Sequence, residues 1–445
     1  MPVIADTAYP RLVANPLPIE LEEAFTPSAA ELGFTAGRTR RAGPHLALLV
    51  LLKTFQRLGY FVPLTDIPAA IIAHVAASAG LTDAIGELGG YDGTSYRRRL
   101  MAIVRSFIGV TAYDTDARAV VVQASIEAAR TRDDLPDIIN AAIEELLRHR
   151  YELPAFSTLL RIARTGRALV NRGYHRRIAA AMTAGVRQRL ATLLVVPEGA
   201  SRSGWDQVKS EALRPSPQRM RKFLAHLNWL RAQAAEGVFT GIPDQKIRHF
   251  AAEAQSLNAA DLSRMVEMRR LSLIAALLHR QRARGLDDVA EMFVRLTQRM
   301  HNKAKDALEE HRARHAEETD ALIARLREAV LVCRDETDRE ARLAALEGLL
   351  LPEAATILAQ CDAHAALAGN NYLPLLARFY KGQRAAFLRF LEHAAPVSTS
   401  QDRSVEKAIA FLLAHRAHRH PKLRIIVEKA TITSMSCSPP GSTGS

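Results

Sequence analysis

Helical periodicity dominates this chain and limits it to folds built from helices. Alanine, leucine and arginine abound, and aromatic residues make up only 6% of the sequence. Strand-like patterning is confined to two short stretches, VVVQA at 120–124 and LRIIV at 423–427. With 445 residues, 48% of them hydrophobic, the chain can bury several cores. The sequence therefore predicts a mainly α, multi-domain protein.

The first strong helix signal is an apolar run with a sharp end. Pro44 stands near the predicted start, aliphatic residues fill positions 46–52, and Gly59 supplies the stop. Lys53 and Arg57 fall in the last turns, and we expect both to be exposed there.

Two more helices follow at short intervals. Asp66 is the predicted N-cap of the second, and Thr94 or Ser95 of the third. Three arginines, 97 to 99, begin the third helix, ahead of an apolar stripe at 100, 103, 104 and 107. Three short helices joined by tight turns have the general shape of a helix-turn-helix cluster, although many small bundles share it.

The positive charge of the chain lies in one segment. Residues 146–232 contain 17 Arg and Lys against four acidic residues, which accounts for the whole net charge of +13. Such asymmetry favours a polyanionic partner, with nucleic acid the first candidate. The alternative is a basic composition of the kind common in alanine- and arginine-rich proteins.

Within this segment the arginines repeat at helical spacing. Arg161, Arg164 and Arg167 recur every three residues in the capped helical stretch 157–177, so we expect them to lie close to one face, and no acid separates them. A second basic helix follows the proline-marked stretch RPSPQRMRK at 214–222. Guanidinium groups in such arrays suit phosphate oxygens. The predicted DNA-binding residues of the chain are Lys53, Arg57, Arg97, Arg98, Arg99, Arg161, Arg164, Arg167, Arg172, Arg176, Arg177, Arg219, Arg221 and Lys222.

Four segments follow from these patterns. Residues 1–152 and 153–285 are predicted to be two helical DNA-binding domains with helix-turn-helix-like bundles, the second strongly basic. Residues 286–432 are predicted to hold a long connecting helix at 286–330, in which the pattern allows a break, and shorter helices at 341–351, 354–367, 375–393 and 404–418. Residues 433–445 lose all periodicity and are predicted to be a disordered tail.

Sequence motifs for catalysis are missing. No glycine-rich phosphate loop follows a strand, no HExxH occurs, and the three cysteines are too widely spaced for a metal site. The histidines of HRAHRH at 415–420 stand among arginines, which favours a basic surface over a ligand set. The longest apolar run, 46–52, is too short to span a membrane, and the N-terminus does not resemble a signal peptide. We therefore expect a soluble, cytoplasmic protein.

Six ordered stretches resemble the transposases of the Tn-three group of replicative transposons. They lie within a resemblance that covers roughly residues 21–419, and they read LLKTFQRLGYFVPLTDIP, YDGTSYRRR, ELPAFSTLLRIAR, RRLSLIAALLHRQRARGLDDVAEMFVRL with QRMHNKAK, YLPLLARFYKGQRAAFLRFL and STSQDRSVEKAIAFLLAHR. The resemblance implies a helical N-terminal part that recognises the terminal inverted repeats of the transposon. It also implies double-stranded transposon ends as the partner, with a homodimer or a full-length transposase as further partners. A further implication of the resemblance is a bacterial protein that is associated with the nucleoid when bound to DNA.

The family's catalytic part has no counterpart here. Family members are about twice as long and carry an Asp-Asp-Glu triad that binds metal on a C-terminal RNase H-like domain. We therefore expect a truncated transposase without a cofactor, since Mg²⁺ belongs to the missing domain. Two other interpretations stay open at this point, a basic helical scaffold that binds proteins and an intact enzyme with an unrecognised site.

The truncated-transposase interpretation predicts that the purified chain neither nicks nor joins DNA. Incubating supercoiled plasmid with the chain and Mg²⁺ or Mn²⁺ tests this. Metal-dependent cleavage that persists through stringent purification would favour the intact-enzyme interpretation.

Overall fold

The computed structural model describes residues 4–210, 215–369, 371–397 and 401–414. Helices account for about 75% of the described residues, which contain no strand, only an isolated bridge between Thr111 and Tyr151. The predicted mainly α class is confirmed. The predicted strand at 120–124 is wrong, because these residues lie inside a helix that Asp114 caps and whose Val121 is buried. The second strand candidate, 423–427, and the tail 433–445 lie outside the described residues.

The α-helices of the described residues are numbered in chain order. Three short 3₁₀ helices accompany them, at Ile4–Asp6, Leu64–Asp66 and Thr82–Tyr91. The α-helices are α1 Pro18–Phe25, α2 Ala29–Ala36, α3 Ala42–Leu58, α4 Ala69–Ala79, α5 Ser95–Ile108, α6 Thr115–Ala129, α7 Leu135–Arg148, α8 Phe156–Ala180, α9 Ala184–Thr192, α10 Gly204–Val208, α11 Pro217–Gln233, α12 Asp244–Ser256, α13 Ala259–Ser263, α14 Glu267–Arg314, α15 Ala316–Asp335, α16 Arg339–Leu350, α17 Ala354–Ala366, α18 Leu373–Lys381, α19 Arg384–Ala394 and α20 Ser404–Ala414.

The chain divides into two compact units. The first unit comprises Met1–Val195 and Ala235–Leu277, and the second comprises Val196–Ala234 and Leu278–Ser445. The predicted segment border at 152/153 falls inside the first unit, and the border at 285/286 falls inside α14.

The first core of the first unit surrounds α3. Leu46 to Leu52 are fully buried, which places α3 at the centre of the helices packed on it. Gly59 ends α3 in the left-handed conformation, with φ of 72°, and its N–H donates to the Phe55 carbonyl at 2.7 Å. Glycine adopts this conformation without steric cost, which confirms the predicted stop.

Lys53 does not lie at an exposed end, contrary to the prediction. Its side chain is 10% exposed and its ammonium group pairs with Glu31 at 3.3 Å. Gln56 Nε2 donates to the other Glu31 oxygen at 2.6 Å. Burial opposes ionisation of Glu31, but hydrogen bonds from the Ser28 N–H and Gln56 and the charge of Lys53 lower its pKa. Lys53 therefore holds α2 against α3.

The predicted caps have different outcomes. Thr94 caps α5 by accepting a hydrogen bond from the Arg97 N–H at 3.1 Å, as predicted. Asp66 is not the N-cap of the next helix, because it ends a 3₁₀ helix and α4 starts after Pro68. Proline at that position fixes an extended backbone that suits the helix entry.

The second core of the first unit joins α6, α7 and α8. Its fully buried residues include Val121, Ile138, Ile139 and Leu159. Tyr9 closes one end, donating to the Pro154 carbonyl at 2.9 Å and packing on Tyr60 and Phe156. The inward face of α8 is therefore fixed by apolar packing.

A buried carboxylate ties α8 and α12 to the turn before α7. Asp133 Oδ1 lies 2.6 Å from Lys246 Nζ and 2.8 Å from Asn171 Nδ2, and Oδ2 lies 2.7 Å from His249 Nε2. Burial alone would raise the pKa of Asp133, but the hydrogen bonds from His249, Lys246 and Asn171 hold it well below its usual range. We call Asp133, Asn171, Lys246 and His249 the Asp133 cluster.

The regular secondary structure of the second unit consists of helices in its described residues. Phe293 of α14 packs on Phe387 and Phe390 of α19, at ring-centroid distances of 4.8 and 4.4 Å. The long helical segment predicted at 286–330, for which a break was allowed, is divided between α14, which starts earlier at Glu267, and α15, and the break lies at His315. The single helix predicted at 375–393 is likewise two, because Gly382 and Gln383 separate α18 from α19. The helices predicted at 341–351 and 354–367 match α16 and α17, and α20 is described as far as Ala414.

Membrane crossing by a single helix is not supported within the described ranges. None of their helices is by itself long and apolar enough, although the bent pair of α16 and α17 meets the length and composition requirements together.

Removing one member of the Asp133 cluster should destabilise the first unit strongly. Asp133→Ala leaves the fully buried Lys246 without its carboxylate partner, which typically costs about 3–5 kcal/mol. Replacing both as Asp133→Asn with Lys246→Met should cost less. The exposed pair of Arg130 and Glu127 supplies the control, because Arg130→Ala should change stability by about 1 kcal/mol or less. Urea unfolding followed by circular dichroism measures these differences, and equal effects of Asp133→Ala and Arg130→Ala would contradict the assignment.

Acid should destabilise the chain through His175. Burial, reinforced by the positive charge of Arg269, lowers the pKa of His175 to about 4 from its usual 6.5. When folding lowers the pKa of a histidine, its contribution to stability is fully present above pH 6.5. That contribution is lost as the pH falls towards 4. The free energy of unfolding should be about 2 kcal/mol lower at pH 5 than at pH 7.5. The variant His175→Gln should lose most of this difference, and an undiminished difference would exclude His175 as its source.

Candidate nucleic-acid interface

Four arginines form one outward face of α8. Arg161, Arg164, Arg172 and Arg176 are all exposed, and at 3.6 residues per turn they fall within an arc of roughly 120°. The opposite face buries Leu159, Ile162, Ala163, Tyr174 and Ile178. We call these four residues the α8 arginine face.

The α8 arginine face lacks neutralising partners. The 25-residue sequence of α8 contains no aspartate or glutamate. Among the described residues, Arg164, Arg172 and Arg176 make no ion pair of 4.0 Å or less. Ordinary exposed helices alternate charge signs, so this face carries an uncompensated positive potential.

Arg118 of α6 is a further exposed arginine of the first unit. Burial raises the pKa of the Tyr113 phenol, and the positive charges of Arg118 and Arg161 both oppose that rise. Arg118 was not among the predicted residues, because nothing in the sequence connects it with Arg161.

Arg167 and Arg177 do not belong to the α8 arginine face. Arg167 donates to the Asp133 carbonyl at 3.0 Å, and Arg177 donates to the Thr240 carbonyl at 3.4 Å. Spacing by three residues rotates each arginine by roughly 60° back around the helix, so Arg167 turns towards the Asp133 cluster. The expectation that Arg161, Arg164 and Arg167 share one face is therefore wrong for Arg167.

The predicted residues nearer the N-terminus divide in the same way. Arg57, Arg98 and Arg99 are exposed. Lys53 is buried against Glu31, and Arg97 is held by Asp92 at 3.0 Å and by the Val62 carbonyl at 2.6 Å. Neither Lys53 nor Arg97 presents its charge freely to solvent.

The remaining predicted residues lie on α11 of the second unit. Ser216 caps this helix through the Arg219 N–H at 3.2 Å, and Arg219, Arg221 and Lys222 are exposed in its first turns. Met220, Phe223 and Leu224 form the buried side. The basic helix predicted after the proline-marked stretch is therefore present.

The Asp133 cluster is what sequence reasoning missed. The closest contact of Asp133 is with Lys246, 113 positions further along the sequence, so no local pattern points to it. A lysine at an apolar helix position, between Pro243 and Ile247, was the available signal.

The described residues contain no group of three or more His, Cys, Asp or Glu arranged to hold a metal ion. The histidines at 415, 418 and 420 lie outside the described residues. The described side chains therefore define a helical protein with an exposed basic face, and no metal ligands are assigned.

Comparison with known proteins agrees with the motifs. A family model described as Domain of unknown function (DUF4158), found in Tn-three-family transposases, matches residues 4–166. The chain is 24% identical over 339 residues to the transposase for transposon gamma-delta of Escherichia coli (strain K12), covering 74% of this chain and 33% of that relative. It is 22% identical over 210 residues to the transposase for transposon Tn501 of Pseudomonas aeruginosa, covering 47% of this chain and 21% of that relative.

These matches confirm the predicted resemblance. The chain is related to the transposases of the Tn-three group and corresponds to part of their length. It spans about a third of one of these curated relatives and about a fifth of the other in the aligned regions.

Neutralising the α8 arginine face should weaken DNA binding at every sequence. Replacing Arg161, Arg164, Arg172 and Arg176 by Ala should reduce the slope of log Kd against log salt by about three to four, since each phosphate contact contributes about 0.9. Fluorescence anisotropy with a labelled duplex at several salt concentrations measures the slope.

A charge-matched variant controls for net charge. Arg130, Arg148, Arg248 and Arg269 are exposed but paired with acids, so replacing all four by Ala removes the same formal charge. This variant should retain nearly the parental slope. If the two variants had equal slopes, the α8 arginine face would not be part of the DNA interface.

Proposed function

We propose that this chain binds double-stranded DNA through the α8 arginine face, and that its specific target is the terminal inverted repeat of a Tn-three-group transposon. The α8 arginine face is the observation that carries the proposal. The printed functions of the two relatives, both transposases, support the choice of transposon DNA as the target.

The geometry of α8 suits a duplex backbone. Arg161 and Arg176 are about 22 Å apart along the helix axis, which equals the rise of roughly six base pairs. The exposed residues between the arginines are small or short, Thr165 and Ala168, apart from Leu169. Guanidinium groups can therefore reach phosphates along one side of the helix without a bulky obstacle.

Rigid mounting of α8 supports the same function. The Asp133 cluster and the second core hold α8 from its inner side. The arginines are therefore already in position before DNA binds. Arg187 adds a further restraint by donating to the Ala179 carbonyl at 2.7 Å, near the end of α8. Preorganised groups bind with a smaller loss of conformational entropy.

Sequence-specific binding should appear as a preference for the repeat over a shuffled duplex. The probe is the terminal inverted repeat that flanks the gene of this chain, and its competitor is the same composition in shuffled order. Competition anisotropy near 150 mM salt should show at least a tenfold preference, because specific affinities exceed non-specific ones by large factors.

Two other outcomes would count against the proposal. Equal affinity for both duplexes would leave only electrostatic DNA binding and refute the repeat as target. Binding to neither duplex, with the chain folded by circular dichroism, would favour the alternative of a basic helical scaffold whose partner is a protein.

A further inference from the structure

We propose that α5 is the base-reading helix of the first unit, with Arg98 and Arg99 as the reading residues and Arg97 as a positioning residue. This inference rests on the proposed function, since it assigns the sequence preference to a different helix from the one that supplies most of the phosphate contacts.

The arginines of α5 fall into two classes. Arg97 pairs with Asp92, and Arg105 pairs with Glu152 at 2.8 Å and lies over the Phe61 ring at 5.1 Å. Arg98 and Arg99 are exposed and make no ion pair within the part of the chain that the structure describes. Two adjacent guanidinium forks are thus presented to solvent on a helix whose other two arginines are fixed to the protein.

The outward face of α5 is narrow and free of acids. Ser95, Arg98, Arg99, Ala102 and Ser106 are all exposed and fall within an arc of roughly 100°. Leu100 and Val104 are buried on the other side. Apart from the two arginines the face has only short side chains, so the helix can approach the floor of a groove while the arginines extend into it.

Arg97 fixes the start of this helix to a neighbouring loop. Asp92 accepts hydrogen bonds from the Leu64 and Thr65 N–H groups, both at 3.0 Å, and pairs with Arg97. Arg97 also donates to the Val62 carbonyl at 2.6 Å. Asp92 and Arg97 therefore attach the first turn of α5 to the neighbouring loop at residues 62–65. This attachment sets the direction of Arg98 and Arg99.

These contacts distinguish α5 from α8. Arginine reads guanine by a bidentate hydrogen bond to O6 and N7, which requires a defined direction of approach, whereas phosphate contacts tolerate a looser one. Arg98 and Arg99, on a first turn whose position is fixed, meet the requirement for reading a base. The four arginines of the α8 arginine face, distributed over about 22 Å, meet the looser requirement for phosphate contacts.

The test compares affinity for the repeat and for the shuffled duplex, using the full chain. Arg98→Ala and Arg99→Ala should each lower the preference for the repeat by about ten- to one-hundredfold, with much smaller effects on the shuffled duplex. Arg98→Lys and Arg99→Lys keep the charge but lose the fork, so they should bind shuffled DNA like the parent and still lose preference. Arg161→Ala with Arg164→Ala is the control and should weaken both duplexes equally.

Modified bases test the contact itself. Replacing single guanines of the repeat by 7-deazaguanine removes the N7 acceptor. At a guanine that Arg98 or Arg99 contacts, this replacement should weaken DNA binding by the parent chain. It should not weaken binding by the variant that lacks the contacting arginine, Arg98→Ala or Arg99→Ala. For Arg97, Arg97→Lys keeps a cation for Asp92 and should retain most of the preference that Arg97→Ala abolishes, while thermal melting changes little between the two variants.

The outcomes separate this inference from the proposed function. A parent chain without repeat preference refutes the proposed function and this inference with it. A parent with preference whose Arg98 and Arg99 variants keep it refutes this inference alone. Loss of affinity for both duplexes in equal measure would make Arg98 and Arg99 phosphate contacts and would also overturn the assignment.

Discussion

The buried ion pair between Asp133 and Lys246 is the interaction on which the arrangement of the first unit depends. Lys246 is fully buried, and Asp133 has a side chain 7% exposed, so neither charge can be satisfied by water. A close contact at 2.6 Å and further hydrogen bonds from Asn171 and His249 offset the desolvation of both groups. Because these residues come from α8, from α12 and from the turn before α7, one carboxylate sets the positions of all three.

The same cluster accounts for how the arginines of α8 are sorted. Arg167 donates a hydrogen bond to the Asp133 carbonyl, and Asn171 donates one to the Asp133 carboxylate. The positions of α8 that face the protein are therefore occupied by residues with partners inside it. The outer positions retain Arg161, Arg164, Arg172 and Arg176. An equivalent sorting occurs on α5, where Asp92 fixes Arg97 while Arg98 and Arg99 stay exposed. On both α5 and α8, some arginines are thus held by partners in the protein while their neighbours are exposed.

Much of the helical architecture could be predicted from the sequence. The end of α3 at Gly59 and the Thr94 cap of α5 are local signals, and they depend on a few neighbouring residues. The sequence-based predictions failed at residues whose contacts are remote in the sequence. Lys53 looked like an exposed cation at a helix end, because nothing near it in the sequence shows that Glu31 lies opposite.

The strand predicted at 120–124 failed for a related reason. A run of valines favours a strand in isolation, but a core formed with α7 and α8 stabilises these residues as a helix. For the candidate interface, composition and spacing identified α8 as basic and free of acids. They could not separate the four displayed arginines from Arg167 and Arg177, because that distinction depends on Asp133 and Thr240, which are remote in sequence.

Placing a photocrosslinker on α8 tests the central claim most directly, that the α8 arginine face lies on DNA. Ala168 is exposed between the arginines, and a benzoylphenylalanine at this position leaves every charge of the face in place. Glu144 of α7 is also exposed and serves as the matched position for comparison. Irradiation with the repeat duplex should crosslink the chain through position 168 and not through position 144. Crosslinking through 144 alone, or equally through both positions, would contradict the account.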